Sequence, residues 1–375
     1  MKEVKVALIG TGFMGKTHGL AYRLLSTFCP ADVKVRLRVL ADVTEDLARA
    51  GARQFGFEDW TVGWESIFDY DIDAVDIVTP NLVHPDIAIE AARRGKHVMC
   101  EKPLAVNVAE TRAMVDAVEK AGIVNMVCFN YRQTPAVAMA KKLIEEGQIG
   151  TIHHFRAVYL QDWCADPNSP WVWRFSAKHA GSGALGDIAS HAIDYGRYLV
   201  GEFDEVVALT KTFVGERPIP HSRETGVVDV DDAVNMLIRF ESGAVGSLEG
   251  SRFCYGRKNC LAFEINGSKG SLLFDWEHSN DLHFYSAQDP EDRQGYRDIK
   301  VGPMHPHAER FWPIPGIGMA YAETSILQAC EFITAIAEGR DAVPNFRDGL
   351  QVAEIMEAVL RSAEAGSWVK VPRVA

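Results

Sequence analysis

The sequence predicts an α/β protein of two domains: a parallel, doubly wound sheet, then a C-terminal α/β domain with a large open, mostly antiparallel sheet. Short apolar strands alternate with amphipathic helices over residues 4–130, which is typical of a parallel sheet covered on both faces. Beyond residue 150 the apolar runs become longer and partly alternating, which favours antiparallel strands with one exposed face. A length of 375 residues also exceeds one ordinary compact core.

The elements of the first domain follow one another without long interruptions. Near-continuous Val, Ile and Leu in its strands predict burial on both faces. The predicted strands cover residues 4–10, 35–41, 74–79, 97–100 and 124–129, and the predicted helices cover residues 14–25, 45–55, 85–94 and 108–121.

The second domain is predicted to begin with a helix and to continue with strands. Residues 300–320, rich in proline and glycine, predict a long ordered loop before the chain returns to helix. We therefore expect domains at 1–130 and 131–375, with the C-terminal helix packing back on the first. The predicted strands cover residues 152–160, 206–213, 233–240, 244–251, 261–266 and 270–275, and the helices cover 134–146, 325–337 and 348–365.

Composition and charge exclude several classes of protein. The formal net charge of −12 argues against nucleic acid or an anionic membrane as a general partner. No apolar run approaches the roughly 20 residues of a membrane span, and the first strand leaves no room for a signal peptide. Seven scattered cysteines without a C-x-x-C pair predict reduced thiols and a cytoplasmic protein. Neither cysteines nor histidines are spaced as metal ligands, so no metal is expected.

A glycine motif joins the first strand to the first helix. Gly10, Gly12 and Gly15 form G-x-G-x-x-G, with Phe13 and Met14 between the last two glycines. A strand that runs through such a turn into a helix presents main-chain N–H groups to the pyrophosphate of a dinucleotide. These five residues are the first candidates for cofactor binding.

An acidic residue at the end of the second strand indicates which dinucleotide is bound. Asp42 closes that strand, and no arginine follows it directly. A carboxylate there accepts the adenosine ribose hydroxyls and repels a 2′-phosphate, which favours NAD over NADP. The alternative is a structural turn with a solvated aspartate.

Polar residues follow the third strand, where an open α/β sheet keeps its ligands. Thr79, Asn81 and His84 come directly after it and are candidates for lining the cofactor's ribose and nicotinamide. A plain Pro-Asn turn that starts a helix is an equally good interpretation of this stretch alone.

A lysine closes the fourth strand in the sequence Glu101-Lys102-Pro103. Proline pushes the residue before it out of the helical region, so Lys102 is expected to be extended at the sheet edge. An ammonium beside a reacting hydroxyl stabilises a developing alkoxide without a metal. Without the glycine motif, a surface lysine before a turn would be the simpler interpretation.

A glycine run at 181–186 leads into a helix that carries Asp187 and His191. Spaced by four residues, the two side chains share one helix face. A carboxylate near an imidazole orients it and raises its basicity, as a general base requires. Taken alone, the pair is better explained as an aspartate that stabilises the start of the helix and forms a hydrogen bond with the histidine. Together with Lys102, the pair predicts a catalytic site.

Aromatic and polar residues near the end of the 152–160 strand suggest a ring-shaped substrate. Tyr159, Gln161 and Trp163 share one face, and Trp173 and Arg174 follow. Aromatic rings with amide and guanidinium groups suit a sugar or cyclitol. A tryptophan-rich core edge is the alternative.

In four stretches the chain resembles the glucose–fructose oxidoreductase/inositol dehydrogenase/rhizopine catabolism (Gfo/Idh/MocA) family: the glycine motif, Thr79-Pro-Asn-x-x-His84, Glu101-Lys102-Pro103, and the run ending Asp187-x-x-x-His191. The resemblance implies an N-terminal Rossmann domain that binds NAD, and a C-terminal domain that binds substrate and builds a homodimer or homotetramer. It places Lys102, Asp187 and His191 on catalytic positions, and Asn130, Arg132, Trp173 and Arg174 on positions that often face cofactor or substrate. We therefore add five residues to the predicted cofactor contacts: Glu101, Lys102, Asn130, Trp173 and Arg174. The predicted substrate contacts are Lys102, Tyr131, Arg132, Gln161, Trp163, Asp187 and His191.

The resemblance also implies a reaction, the NAD-dependent oxidation of a secondary ring hydroxyl to a ketone. The segments from Phe129 and from Leu160 are similar to members that oxidise the C3 hydroxyl of 1,6-anhydroglucose. Inositol dehydrogenase and sugar or glycoside 3-dehydrogenase remain as alternatives. A non-catalytic NAD(P)-binding sensor is the alternative from another class.

Overall fold

The chain forms two compact units, each with its own sheet. In the computed structural model, which describes residues 2–29, 33–311 and 313–374, the first unit comprises Met1–Gln133 and Ala320–Leu350. The second comprises Thr134–Met319 and Gln351–Ala375. The chain thus leaves the first unit, builds most of the second, and returns.

The first unit is built on a six-stranded parallel sheet in the order β3-β2-β1-β4-β5-β6. This is the strand order of a Rossmann fold, so the predicted fold class is confirmed. The sequence analysis missed β3, a four-residue strand that is half-buried to exposed. The strands are β1 (Lys2–Ile9), β2 (Val33–Asp42), β3 (Asp59–Val62), β4 (Ala74–Ile77), β5 (His97–Cys100) and β6 (Asn125–Val127).

Local chemistry fixes the helices between these strands. The Thr44 side chain caps α2 by accepting from the Leu47 N–H, and Asn107 caps α4 in the same way. Both helices end at a glycine in the left-handed region. The helices are α1 (Phe13–Phe28), α2 (Glu45–Phe55), α3 (His84–Arg93) and α4 (Val108–Ala121).

The second unit is built on a nine-stranded sheet in the order β16-β15-β14-β13-β7-β12-β11-β8-β17, with a separate β9–β10 pair. All pairings of the large sheet are antiparallel except the one between β12 and β7. The strands are β7 (Ile152–Leu160), β8 (Phe203–Lys211), β9 (Glu216–Pro218), β10 (Thr225–Val227), β11 (Ala233–Phe240), β12 (Val245–Ser251), β13 (Cys260–Gly267), β14 (Gly270–Asp275), β15 (Asp281–Ser286), β16 (Arg297–Lys300) and β17 (Val369–Lys370).

One face of this sheet is exposed and carries apolar side chains. Burial alternates along β11, as expected for a sheet with one covered face. Leu209, Leu237 and Val245 lie on the open face and are 72%, 54% and 50% exposed. Cross-strand pairing puts these three residues on the same side.

Of the remaining described helices, three come before β8 in sequence and two lie between β16 and β17. They are α5 (Pro135–Glu145), α6 (Ala177–Ala180), α7 (Ser190–Leu199), α8 (Tyr321–Glu338) and α9 (Phe346–Ala365). α8 belongs to the first unit, and α9 begins in the first unit and continues into the second. The described part of residues 301–320 is an irregular loop of turns and bends that contains one short 3-10 helix, Ala308–Arg310. No described helix is both long and apolar enough to cross a bilayer.

Two of the seven cysteines are paired, which corrects the prediction that all are reduced. Cys29 and Cys330 form a disulfide, and their Cα atoms are 5.8 Å apart. That spacing is within the range a disulfide spans. The pair joins the end of α1 to α8 across 301 residues of sequence, a contact that cysteine spacing alone does not reveal.

Candidate active site

The glycine motif forms the tight strand-to-helix turn that its sequence predicts. Gly10 has a φ of +108°, which favours glycine. A Cβ on Gly15 would meet the Gly10 carbonyl oxygen at 2.3 Å, so the helix start packs directly on the turn. A Cβ on Gly12, the residue before α1, would meet no atom within 4 Å. The turn therefore offers bare main chain at a helix N-terminus, which fits a pyrophosphate.

Phe13 and Met14 begin the helix and contact the returning segment of the first unit. The Phe13 ring is 69% exposed and stacks on Tyr321 at a centroid distance of 6.0 Å. The Tyr321 hydroxyl lies 3.6 Å from the Met14 sulfur. Tyr321 is thus a neighbour of the glycine turn that the sequence analysis missed, because about 300 residues separate them.

Asp42 ends β2, and its carboxylate is held in place. The Thr11 hydroxyl donates to Oδ2 at 2.5 Å, and the Val43 N–H donates to Oδ1 at 2.6 Å. Thr11 lies within the glycine motif, so the carboxylate is tied to the turn itself. An ordered carboxylate beside that turn fits the two hydroxyls of an adenosine ribose.

Two of the polar residues that follow β4 have buried side chains. His84 is fully buried, and its ring nitrogens lie 2.8 Å from the Thr79 carbonyl oxygen and 3.1 Å from the Pro103 carbonyl oxygen. Burial lowers the pKa of His84, and the contacts with the Thr79 and Pro103 carbonyl oxygens oppose this shift in part. Asn81 is also buried. His84 joins the loop after β4 to the loop that carries the lysine.

Lys102 follows β5 and is half-buried. The Glu101 side chain accepts the Lys102 N–H at 3.1 Å, and the Glu101 N–H donates to the Ile77 carbonyl oxygen at 2.9 Å. Strand-like main-chain bonding thus continues one residue past β5. This agrees with the prediction that the lysine stands at the carboxyl edge of the sheet.

A buried histidine that the sequence analysis missed lies against Glu101. His18 Nδ1 is 2.8 Å from Asp76 Oδ2, and Nε2 is 3.3 Å from Glu101 Oε1. Burial alone would lower the pKa of His18, but the two carboxylates outweigh it and raise the pKa to about 10. Cys128 lies close enough for its sulfur to share a metal ion with His18 and Glu101. The imidazolium, however, has no lone pair for such an ion.

Asn130, Tyr131 and Arg132 form a short 3-10 turn after β6. All three are buried, and their partners lie in the returning segment of the first unit. The contacts are Asn130 Nδ2 to Thr324 Oγ1 at 2.9 Å, Arg132 to Asp348 at 3.3 Å, and a T-shaped pair of the Tyr131 and Tyr321 rings at 5.9 Å.

In the second unit, Asp187 and His191 lie on one continuous helical segment. Residues Leu185–Ala189 form a π-helical turn that runs into α7, where the sequence predicts regular helix. Such turns are frequent at functional sites. Asp187 is paired with two guanidinium groups, Arg174 at 3.4 Å and Arg252 at 3.7 Å.

His191 is buried to 6% exposure and packs against an aromatic ring. The centroids of the His191 and Tyr159 rings are 6.0 Å apart. The apolar side chains of this helical segment belong to the core, since all four are buried: Leu185, Ile188, Ala192 and Leu199.

A buried charge cluster, not singled out by the sequence analysis, supports Asp187. The Asp231 carboxylate accepts the N–H groups of Gly183 and Leu185 at 2.7 and 2.8 Å, which fixes the start of the π turn. Burial raises the pKa of Asp231, and these hydrogen bonds oppose that rise. Arg252, fully buried, donates to the Asp231 carbonyl oxygen at 3.1 Å and lies 3.5 Å from Asp232.

The predicted ring-binding residues lie on two short stretches of the second unit. Gln161 donates to Asn259 Oδ1 at 2.7 Å, and the Tyr159 hydroxyl donates to the same oxygen. Asn259, which the sequence analysis missed, thus fixes both side chains. Trp163 is 41% exposed, and the Arg174 guanidinium lies 4.4 Å from the centre of the Trp173 ring.

The structure therefore assembles the predicted residues in two groups. The glycine turn, Asp42 and the residues after β4 and β5 lie in the first unit with Lys102. Asp187, His191 and the aromatic stretches lie in the second.

Two protein-family models match the chain, one in each part. The model of an oxidoreductase family with an NAD-binding Rossmann fold matches residues 4–129. The model of the GFO/IDH/MocA C-terminal domain matches residues 137–273. Together they cover more than half of the chain.

Individual relatives extend the similarity over the full length. The levoglucosan dehydrogenase of Pseudarthrobacter phenanthrenivorans is 51% identical over 388 residues, which cover 100% of both chains. The scyllo-inositol 2-dehydrogenase (NAD(+)) of Bacillus subtilis is 34% identical over 276 residues, or 72% of this chain and 73% of the relative. A solved structure of levoglucosan dehydrogenase in complex with NADH and levoglucosan has a TM-score of 0.97 at 53% identity, and covers 99% of this chain and 100% of that one.

Proposed function

Because the chain belongs to the Gfo/Idh/MocA family of oxidoreductases, we propose that it oxidises a secondary ring hydroxyl of a sugar or anhydrosugar to a ketone with NAD. Levoglucosan, oxidised at C3, is the first candidate substrate. The observation that carries this proposal is the full-length similarity to levoglucosan dehydrogenase. Inositols are the second candidate, favoured by the similarity to a scyllo-inositol dehydrogenase.

Most of the proposed cofactor contacts come from the first unit. The bare glycine turn accepts the pyrophosphate through main-chain N–H groups, and Asp42 accepts the ribose hydroxyls. When bound, NAD supplies the acceptor for the hydride that leaves the substrate carbon. Thr79, Asn81, Glu101, Asn130, Trp173 and Arg174 complete the proposed set of cofactor contacts.

Three side chains act on the reacting hydroxyl. His191 takes its proton as general base, while the hydride leaves the same carbon, so that an alcohol becomes a ketone. Lys102 donates to the reacting oxygen and stabilises its alkoxide character. Asp187, held by Arg174 and Arg252, accepts a substrate hydroxyl and orients the imidazole.

The remaining substrate contacts rest on the aromatic and amide groups of the second unit. Trp163 offers an apolar face to a sugar ring, and Gln161, fixed by Asn259, offers a directed hydrogen bond. We include Tyr131 and Arg132 in the substrate site by the family resemblance, although both side chains are buried.

We also propose a homodimer or homotetramer in the cytoplasm; the location no longer rests on seven reduced thiols, because Cys29 and Cys330 are paired. The open face of the large sheet supports the oligomer, because Leu209, Leu237 and Val245 lie exposed on it side by side. Size-exclusion chromatography with light scattering tests it, and a monomer at micromolar concentration would refute the interface.

Spectrophotometry of nicotinamide reduction tests the reaction. Purified protein is assayed with NAD or NADP against levoglucosan, glucose, glucosides and inositols, and we expect turnover of levoglucosan with NAD. Lys102→Ala and His191→Ala should each lower kcat by about 10²- to 10⁴-fold while the Kd of NADH stays nearly unchanged. Binding of NADH without turnover of any sugar would favour the sensor instead, and equal losses of kcat and NADH affinity would remove the catalytic roles.

A further inference from the structure

His18 is a buried titratable residue to which the reaction above gives no role. It lies on α1, three residues after Gly15, and its side chain is 2% exposed. One ring nitrogen faces Asp76 and the other faces Glu101, at 2.8 and 3.3 Å. Both carboxylates are also buried, so the imidazole stands between two acidic groups away from bulk water.

The charge of the ring follows from these neighbours. With its pKa raised to about 10, His18 is an imidazolium at neutral pH, and both ring nitrogens carry a proton. It therefore offsets one of the two buried negative charges and bridges β4, which holds Asp76, to the end of β5, which is followed by Glu101. Low surrounding dielectric makes such a bridge strong and geometrically demanding.

Glu101 passes this constraint to the lysine. One of its oxygens faces His18, while the other accepts the Lys102 N–H at 3.1 Å. From the opposite side of the turn, His84 lies 3.1 Å from the Pro103 carbonyl oxygen. The main chain of Lys102 is thus held between two buried histidines, one acting through a carboxylate and one through a carbonyl.

We propose that His18 is a positioning residue for the hydride-transfer reaction: its imidazolium holds Glu101, and Glu101 holds the main chain of Lys102. The inference rests on the proposed catalytic role of Lys102. His18 acts through that lysine and sets where the ammonium meets the reacting oxygen. Because α1 also carries the glycine motif, the same bridge ties the cofactor turn to the catalytic lysine.

His18→Gln tests the inference in the full-length enzyme. Glutamine keeps a hydrogen-bond donor but removes the cation that lies between Asp76 and Glu101. Since a misplacement of about 1 Å costs roughly 10²-fold in rate, we expect kcat to fall about ten- to a hundredfold. The Kd of NADH, measured by fluorescence, should change far less than kcat, because the glycine turn and Asp42, which provide the main proposed cofactor contacts, are not substituted. Asp76→Asn, which weakens the bridge from its other end, should change kcat in the same direction if His18→Gln fails to fold.

Leu25→Ala is the matched control for a merely structural effect. Leu25 lies on the same helix, is 4% exposed, and is not part of the bridge. The variant should lower the melting temperature yet keep the wild-type kcat well below that temperature. A His18→Gln enzyme whose kcat falls no further than that of Leu25→Ala would overturn the inference.

A double-mutant cycle with Lys102→Met separates this inference from the proposed function. Single-turnover measurements with stoichiometric enzyme keep low rates measurable. If His18 acts through Lys102, His18→Gln costs little in the Lys102→Met background. If the fold-decreases in rate of the two single variants multiply in the double variant, the positioning role of His18 is refuted while the catalytic role of Lys102 stands. If Lys102→Met alone keeps the wild-type kcat, the proposed catalytic role of Lys102 fails, although the proposed oxidation still stands.

The metal content of the purified protein provides a second way to refute the bridge. His18, Glu101 and Cys128 have ligand atoms within 4.8 Å of one another. A stoichiometric metal ion that is present in the wild type and lost in Cys128→Ala would mean that His18 is a metal ligand and not an imidazolium. We expect no such stoichiometric ion.

Discussion

Replacing Arg252 by methionine should destabilise the second unit far more than replacing a surface arginine of the same sheet. The Arg252 side chain is fully buried and donates to the Asp231 carbonyl oxygen at 3.1 Å. It also lies 3.5 Å from Asp232 and 3.7 Å from Asp187. Methionine fills much of the same volume but leaves Asp232 without the Arg252 cation, whereas Asp187 keeps its ion pair with Arg174.

The size of the expected loss in the free energy of unfolding follows from the burial of this ion pair. Asp232 is also fully buried, so its carboxylate would keep the main-chain N–H groups of Phe213 and Val214 but no opposite charge. Removing one partner of a buried ion pair costs about 3–5 kcal/mol in the free energy of unfolding. For a unit of this size, each kcal/mol lowers the melting temperature by roughly 2–4 °C, so we expect a decrease of about 6–20 °C.

Differential scanning calorimetry measures the effect, with Arg156→Met as the matched control. Arg156 lies on β7 and pairs with Glu264 at 3.0 Å, but its side chain is 55% exposed. An exposed ion pair contributes about 0–1 kcal/mol, so this control should melt close to the wild type. If Arg252→Met melts no lower than Arg156→Met, the argument from burial is wrong.

Three further predictions concern the first unit. Asp42→Ser should lower kcat/KM with NAD and raise it with NADP, because a carboxylate that accepts ribose hydroxyls and repels a 2′-phosphate is lost; an unchanged ratio of the two would contradict its role. The folded pKa of His18, about 10, lies above the usual 6.5, so its protonation stabilises the fold fully below pH 6.5 and this contribution is lost as the pH rises through 10. In urea titrations the difference in the free energy of unfolding between wild type and His18→Gln should therefore decrease from pH 6.5 to 10. A difference that stays constant would show that the charge of His18 does not stabilise the fold. With Cys29 and Cys330 paired, denatured protein should show five free thiols without reductant and seven with it; seven in both would remove the disulfide.

Most of the first unit could be predicted because its signals are local. Apolar runs, caps and glycines fix its strands and helices within short windows, and the glycine motif needs only six residues to define a turn. Asp42 and Lys102 were found by the same logic, since each closes a strand. The missed strand β3 has four residues and no fully buried position, so it carries no periodic signal.

The buried contacts that hold the site residues in place could not be predicted from the sequence, because they join distant parts of the chain. His18 meets Asp76 and Glu101 across 58 and 83 residues, and nothing near any of them marks the contact. The same holds for Arg252 and Asp187. The π turn is likewise invisible in the sequence: its start is fixed by the Asp231 carboxylate, which lies 46 residues beyond Leu185.

The order in which the chain is made matters for a unit whose last segment arrives late. Residues 1–133 emerge from the ribosome first, but the unit also needs Ala320–Leu350. Until those residues appear, Asn130 lacks Thr324 and Tyr131 lacks Tyr321. A nascent chain stalled before residue 320 therefore presents an incomplete nucleotide-binding half with uncovered apolar surface, the kind of species that chaperones recognise. Maturation of the first unit is thus coupled to translation of the chain as far as Leu350.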